Sequence, residues 1–187
     1  MKVIMVAVSS LNGKITKGKD PNIYSWTSKE DAKFYFSLIE KNNLILMGSK
    51  TYDAARKIIK HKKGKLRVVL TRNPKKYLDQ TIKGVLEFTN ENPLKLVERL
   101  GNKGYKKMLL VGGGTINSLF LKENLVNELY LTLEPKIFGS GKSLLSEESL
   151  DISLKLISAR KLNHQGAMFL KYKVFSEFPP VKVEKVQ

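Results

Sequence analysis

Short apolar runs rich in β-branched residues recur through the first 122 residues, and stretches with helical spacing lie between them. Val3 to Val8, Asn43 to Gly48, Leu66 to Thr71 and Met108 to Val111 are the clearest, and Val85 to Thr89 is a weaker fifth. Such runs, apolar on both sides and joined through helices, predict parallel strands covered on both faces. The intervening helices are expected at 28–41, 50–60, 93–100 and 115–122. Ser28 is placed to cap the first, and Glu30 and Asp31 sit where carboxylates favour the helix dipole. After residue 122 the pattern changes. Glu128 to Glu134 alternates, and 154–162 and 167–175 read as further strands, which predicts antiparallel additions at one sheet edge. The expected architecture is a three-layer α/β/α domain over 1–175 with a mixed, mostly parallel sheet. A polar tail follows over 176–187, containing Pro179-Pro180.

Ligands on sheets of this kind bind beyond the carboxyl ends of the strands. Four such ends carry useful chemistry. Gly48-Ser49-Lys50-Thr51 sets a glycine, a cation and two hydroxyls where a strand meets a helix. Leu70-Thr71-Arg72 puts a hydroxyl and a guanidinium past a neighbouring strand, suited to a phosphate monoester. Val111-Gly112-Gly113-Gly114-Thr115 offers bare backbone at a helix start, where N–H groups and the dipole favour a pyrophosphate. The fourth, Ser9 to Gly13, closes the first strand. Taken singly, each is equally a turn, a cap or a surface charge; together on one edge they point to a phosphorylated dinucleotide. The aperiodic stretch from Lys14 to Thr27 reads as a long loop able to close over that edge.

The chain holds no cysteine and only two histidines, which leaves no thiolate site and argues against a zinc centre. No signal-peptide layout or membrane-length apolar stretch is present, so a soluble cytoplasmic protein is expected. The net charge of +17 is scattered, without interleaved aromatics, and predicts no specific nucleic-acid binding.

Met47-Gly-Ser-Lys-Thr-Tyr52, Val69-Leu-Thr-Arg-Asn-Pro74 and Val111-Gly-Gly-Gly-Thr115 resemble, in order and spacing, the cofactor motifs of the dihydrofolate reductase superfamily. That superfamily includes the C-terminal reductase domain of riboflavin-biosynthesis proteins of the RibD type. The resemblance implies a reductase using NADPH, with Gly48 to Thr51 and Gly112 to Thr115 on the pyrophosphate and Leu70, Thr71 and Arg72 around the 2′-phosphate. Ala7, Asn12 and Ile15 would lie near the nicotinamide. Trp26-Thr-Ser-Lys-Glu-Asp31 resembles the opening of the substrate helix in dihydrofolate reductases. It implies Asp31 as the substrate-anchoring acid, Thr132 of Leu129-Tyr-Leu-Thr132 as its partner, and Val6, Trp26 and Tyr35 as pocket residues.

Other segments resemble the riboflavin branch. Ser10-Leu-Asn-Gly-Lys-Ile15 matches its Ser-x-Asp-Gly-x-Ile loop with Asn12 for the aspartate, and Glu134-Pro-Lys-Ile-Phe-Gly139 matches its Pro-Lys-x-x-Gly turn. The region 53–64 lacks that branch's Asp-Asn-Pro stretch. Lys65 stands where dihydrofolate reductases commonly hold the folate glutamate with an arginine. The resemblance thus implies reduction of a pterin C=N bond, dihydrofolate first. The alternatives are a phosphoribosylaminopyrimidine of riboflavin biosynthesis, or a nucleotide- or nucleic-acid-binding module without catalysis. The resemblance implies a monomer on the folate branch and a homodimer on the riboflavin branch.

Overall fold

A computed structural model describes residues 1–146 and 150–175; the expected polar tail lies outside the described residues. The strands are β1 (Lys2–Ser10), β2 (Leu44–Gly48), β3 (Leu66–Leu70), β4 (Leu86–Thr89), β5 (Lys107–Leu110), β6 (Glu128–Glu134), β7 (Ser153–Lys161) and β8 (Met168–Phe175). They form one sheet in the order β4, β3, β2, β5, β1, β6, β8, β7. The first six strands in that order run parallel; β8 pairs antiparallel with both β6 and β7. Helices α1 (Lys29–Lys41), α2 (Ser49–Ala55), α3 (Pro93–Asn102) and α4 (Gly114–Lys122) supply the outer layers. This is the mixed α/β architecture the sequence predicts. No helix among the described residues is long and apolar enough to cross a membrane.

Alternation along each central strand splits the core into two layers. Val3, Met5, Leu46, Val68, Met108 and Leu110 pack with Leu96 and Leu100 of α3 and with Phe120 of α4. Ile4, Val6, Ile45, Met47, Val69 and Leu109 face the other way, toward Ile39 of α1 and Tyr52 of α2. β1 lies between β5 and β6, so its carboxyl end is ringed by the ends of its neighbours.

Two elements differ from expectation. α2 stops at Ala55 instead of reaching Lys60, and Ile58 and Ile59 both donate back to the Ala55 carbonyl in a tight turn. Continuing the helix would stack Arg56 on Lys60, a like-charge pair at i,i+4. Pro74–Gln80, to which the sequence assigns no element, forms 3-10 turns. They seat Tyr77 face to face with Phe88, ring centres 4.6 Å apart.

Candidate active site

β2 and β5 are neighbours, so the two glycine turns at their carboxyl ends meet. Gly48 N–H donates to the Gly112 carbonyl at 2.8 Å. A Cβ on Gly48 would come within 2.8 Å of Ile116 Cγ1, and one on Gly113 within 3.3 Å of Thr51 Oγ1 and 3.9 Å of Ile15 Cδ1. Gly112 has a φ of +81°, a region that L side chains rarely adopt, and its peptide bond to Gly113 is cis. The glycines therefore let two turns and the Ile15 loop approach one another. The helices that follow them are distinctive in their caps. Ser28 and Asn92 cap α1 and α3 with side-chain oxygens, whereas Gly48 and Gly113 leave α2 and α4 without any side-chain cap. Among the described residues no side-chain oxygen takes the place an anion such as a pyrophosphate would occupy at those starts.

At the end of adjacent β3, Thr71 Oγ1 accepts from Asn73 N–H at 3.3 Å, and Arg72 stands exposed without an ion pair among the described residues. Leu70 is buried in the core and Val111 packs against it, so they offer a phosphate backbone alone; Val6, expected in the substrate pocket, is buried in the core on β1. Lys50 is exposed, Ser49 is half-buried, and the Thr115 hydroxyl accepts from Ser146 Oγ at 3.2 Å. Paired uncapped helix starts, a bare backbone cradle and a free guanidinium one strand away together fit a phosphorylated dinucleotide such as NADPH.

Asn12 has partners other than a cofactor. Its carboxamide accepts from Ser10 Oγ at 2.7 Å and Phe138 N–H at 3.2 Å, and donates to the Phe138 carbonyl at 2.7 Å. It clamps the loop after β1 to the loop after β6. Ala7, on β1, is half-buried and lies on the strand between β5 and β6.

The first turn of α1 and the end of β6 form the acidic side of the site. Ser28 Oγ accepts from Asp31 N–H at 3.2 Å, while Ser28 N–H donates to Glu134 Oε1 at 2.7 Å. Thr132 and Glu134 are two apart on β6 and so share a face, each 2% exposed; Asp31 is 6% exposed. Burial lifts the Asp31 carboxyl from an ordinary value of 3.8 to about 6; a hydrogen bond from Thr132 opposes the shift and the Glu134 charge adds to it. A carboxyl so poised holds its proton close to neutral pH. Sequence reasoning missed Glu134 as a site residue; its signal was an acid two positions beyond Thr132 on a strand whose leucines alternate with polar residues. Trp26 is buried edge-on against Phe138, ring centres 5.2 Å apart. Its Nε1 and the neighbouring Thr27 Oγ1 have no hydrogen-bond partner among the described residues.

A cavity of about 670 Å³ runs between α1 and the α2 segment, with Tyr35, Met47, Thr51 and Ile59 among its walls. Lys65 borders it but is already engaged. Its ammonium donates to the carbonyls of Ile39, Glu40 at 3.1 Å and Asn42 at 2.8 Å, closing the carboxyl end of α1. All three protons are thus directed at main-chain carbonyls at the end of α1.

Residues 1–167 match the RibD C-terminal domain family. Protein YyaP of Bacillus subtilis is 25% identical over 85% of this chain and 88% of its own. A pyrimidine reductase-like protein from Corynebacterium diphtheriae shares the fold at a TM-score of 0.74, with 18% identity over 93% of this chain and 92% of that one. Dihydrofolate reductase from Enterococcus faecalis, solved with NADP(H), shares it at 0.63, with 19% identity over 92% and 96%.

Proposed function

The chain belongs to the RibD C-terminal domain family, and from that premise we propose that it is an NADPH-dependent reductase of a pterin or related pyrimidine, dihydrofolate first. The observation that carries this reading is Asp31, buried beside Thr132 and Glu134 with its proton affinity raised to about 6. Bound NADPH would supply the hydride. The chain's own residues orient and polarise. The uncapped starts of α2 and α4 hold the pyrophosphate, and Arg72 pairs with the 2′-phosphate. Asp31 accepts hydrogen bonds from an aminopyrimidine edge and keeps a proton for the ring nitrogen beside the carbon being reduced. Thr132 fixes that carboxyl, and Trp26 and Phe138 keep water from it.

A second reading, the phosphoribosylaminopyrimidine of riboflavin biosynthesis, is favoured by the family match and by the engaged Lys65, which removes one folate contact. Oxidation of NADPH followed with each substrate separates the two. Turnover of dihydrofolate supports the first and turnover of the riboflavin intermediate the second. Turnover of neither refutes both.

A further inference from the structure

Arg67 lies on β3 two residues beyond Lys65, facing the same cavity. It is 6% exposed, a burial at which a guanidinium is ordinarily held by a carboxylate. Among the described residues it has none. Among the described residues one bond is made, from Nη1 to the Lys60 carbonyl at 3.1 Å, and Nε–H is buried without a partner. A buried cation with most of its donors unspent is costly to leave so, and no carboxylate among the described residues pairs with it. Lys60, Lys62 and Lys65 line the same end, against Glu40 alone, which Lys62 already pairs at 2.6 Å. Tyr35, whose hydroxyl interacts with the Arg67 charge, borders the cavity from α1.

We propose that Arg67, with Tyr35 beside it, forms an anion-binding subsite that takes the phosphate monoester or carboxylate carried by the substrate. This rests on the reading that the cavity receives the substrate of the reductase. Two residues of strand set the subsite about 7 Å closer to the carboxyl end of β3 than Lys65 would. The guanidinium fork offers paired donors to two oxygens of either group.

Calorimetric titration with two ligand pairs tests this without reference to turnover. One pair is the phosphoribosylaminopyrimidine and its dephosphorylated riboside; the other is dihydrofolate and tail-free 6-methyldihydropterin. Wild-type protein should bind the anionic member of one pair more tightly, and that pair names the source of the anion. Arg67→Gln should weaken the anionic member about 10- to 100-fold and leave the neutral member unchanged. Absence of a gap in both pairs, or a gap that survives Arg67→Gln, overturns the subsite. A gap without turnover of any ligand overturns the reductase reading and not the subsite. Should Arg67→Gln fail to fold, inorganic phosphate added to the wild-type chain decides. It must compete with the anionic ligand and not with the neutral one; equal or absent competition overturns the proposal.

Discussion

Replacing Asp31 with asparagine exchanges catalytic capacity for stability, by an amount that depends on pH. The folded chain holds this proton to about pH 6, whereas an ordinary aspartate releases it near 3.8. Below about pH 4 both folded and unfolded chains are protonated, and the buried acid costs nothing. As pH rises the unfolded chain ionises first and is favoured, so stability falls; above about pH 6 the folded chain ionises too and the penalty is constant. A difference of ~2 pH units corresponds to about 3 kcal/mol. Asp31→Asn should therefore be more stable than the wild type by up to about 3 kcal/mol above pH 6, with the gap closing toward pH 4. Less favourable packing of the amide would subtract about 1 kcal/mol at every pH. Urea unfolding of both proteins at pH 4, 5, 6 and 7.5 reads this directly. Hydride transfer in the variant should drop at least ~100-fold, and the wild-type fall in rate above pH 6 should disappear. A stability gap that is the same at all four pH values would refute the claim that burial penalises the Asp31 charge.

Arg72→Gln should weaken NADPH about 10- to 100-fold while leaving NADH nearly unchanged in a fluorescence titration; equal loss for both would remove Arg72 from the 2′-phosphate. Glu134→Gln keeps an acceptor for Ser28 N–H but removes a negative charge beside Asp31, so the pH–rate profile should move to lower pH; movement to higher pH would contradict the electrostatic assignment. Lys65→Met leaves three carbonyls at the end of α1 without their donor and should lower stability by about 1–3 kcal/mol, with NADPH affinity intact. Unchanged thermal unfolding would show that the cap contributes nothing.

The sheet was legible, and the glycine turns at its edge could be picked out, because local chemistry marks them. Apolar runs, the Ser28 cap and the glycines of 112–114 each carry a meaning within a few residues of chain. What stayed hidden depends on distant partners. Lys65 reads as a cation at a strand start, and only the fold shows that it meets Ile39, Glu40 and Asn42 of α1. Arg67 interrupts an apolar run and reads as one more surface charge, yet it is buried against a cavity. Asn12 could be placed in a turn, but its partner Phe138 lies far along the chain. Helix α2 was overextended because helical propensity near residues 56–60 outlasts what stacked cations tolerate.

The hydrogen bond from Gly48 to Gly112 joins turns that belong to distant parts of the sequence. Neither cradle is complete until β2 has found β5 in register, Leu46 opposite Leu110. The edge on which the two glycine turns meet is therefore a product of long-range strand pairing, which is entropically expensive and slow to form. A dinucleotide spanning both turns would bind the registered chain alone, so its concentration would bias the folding equilibrium toward that register. Cellular supply of the nucleotide would then help set how much of the chain survives as folded protein.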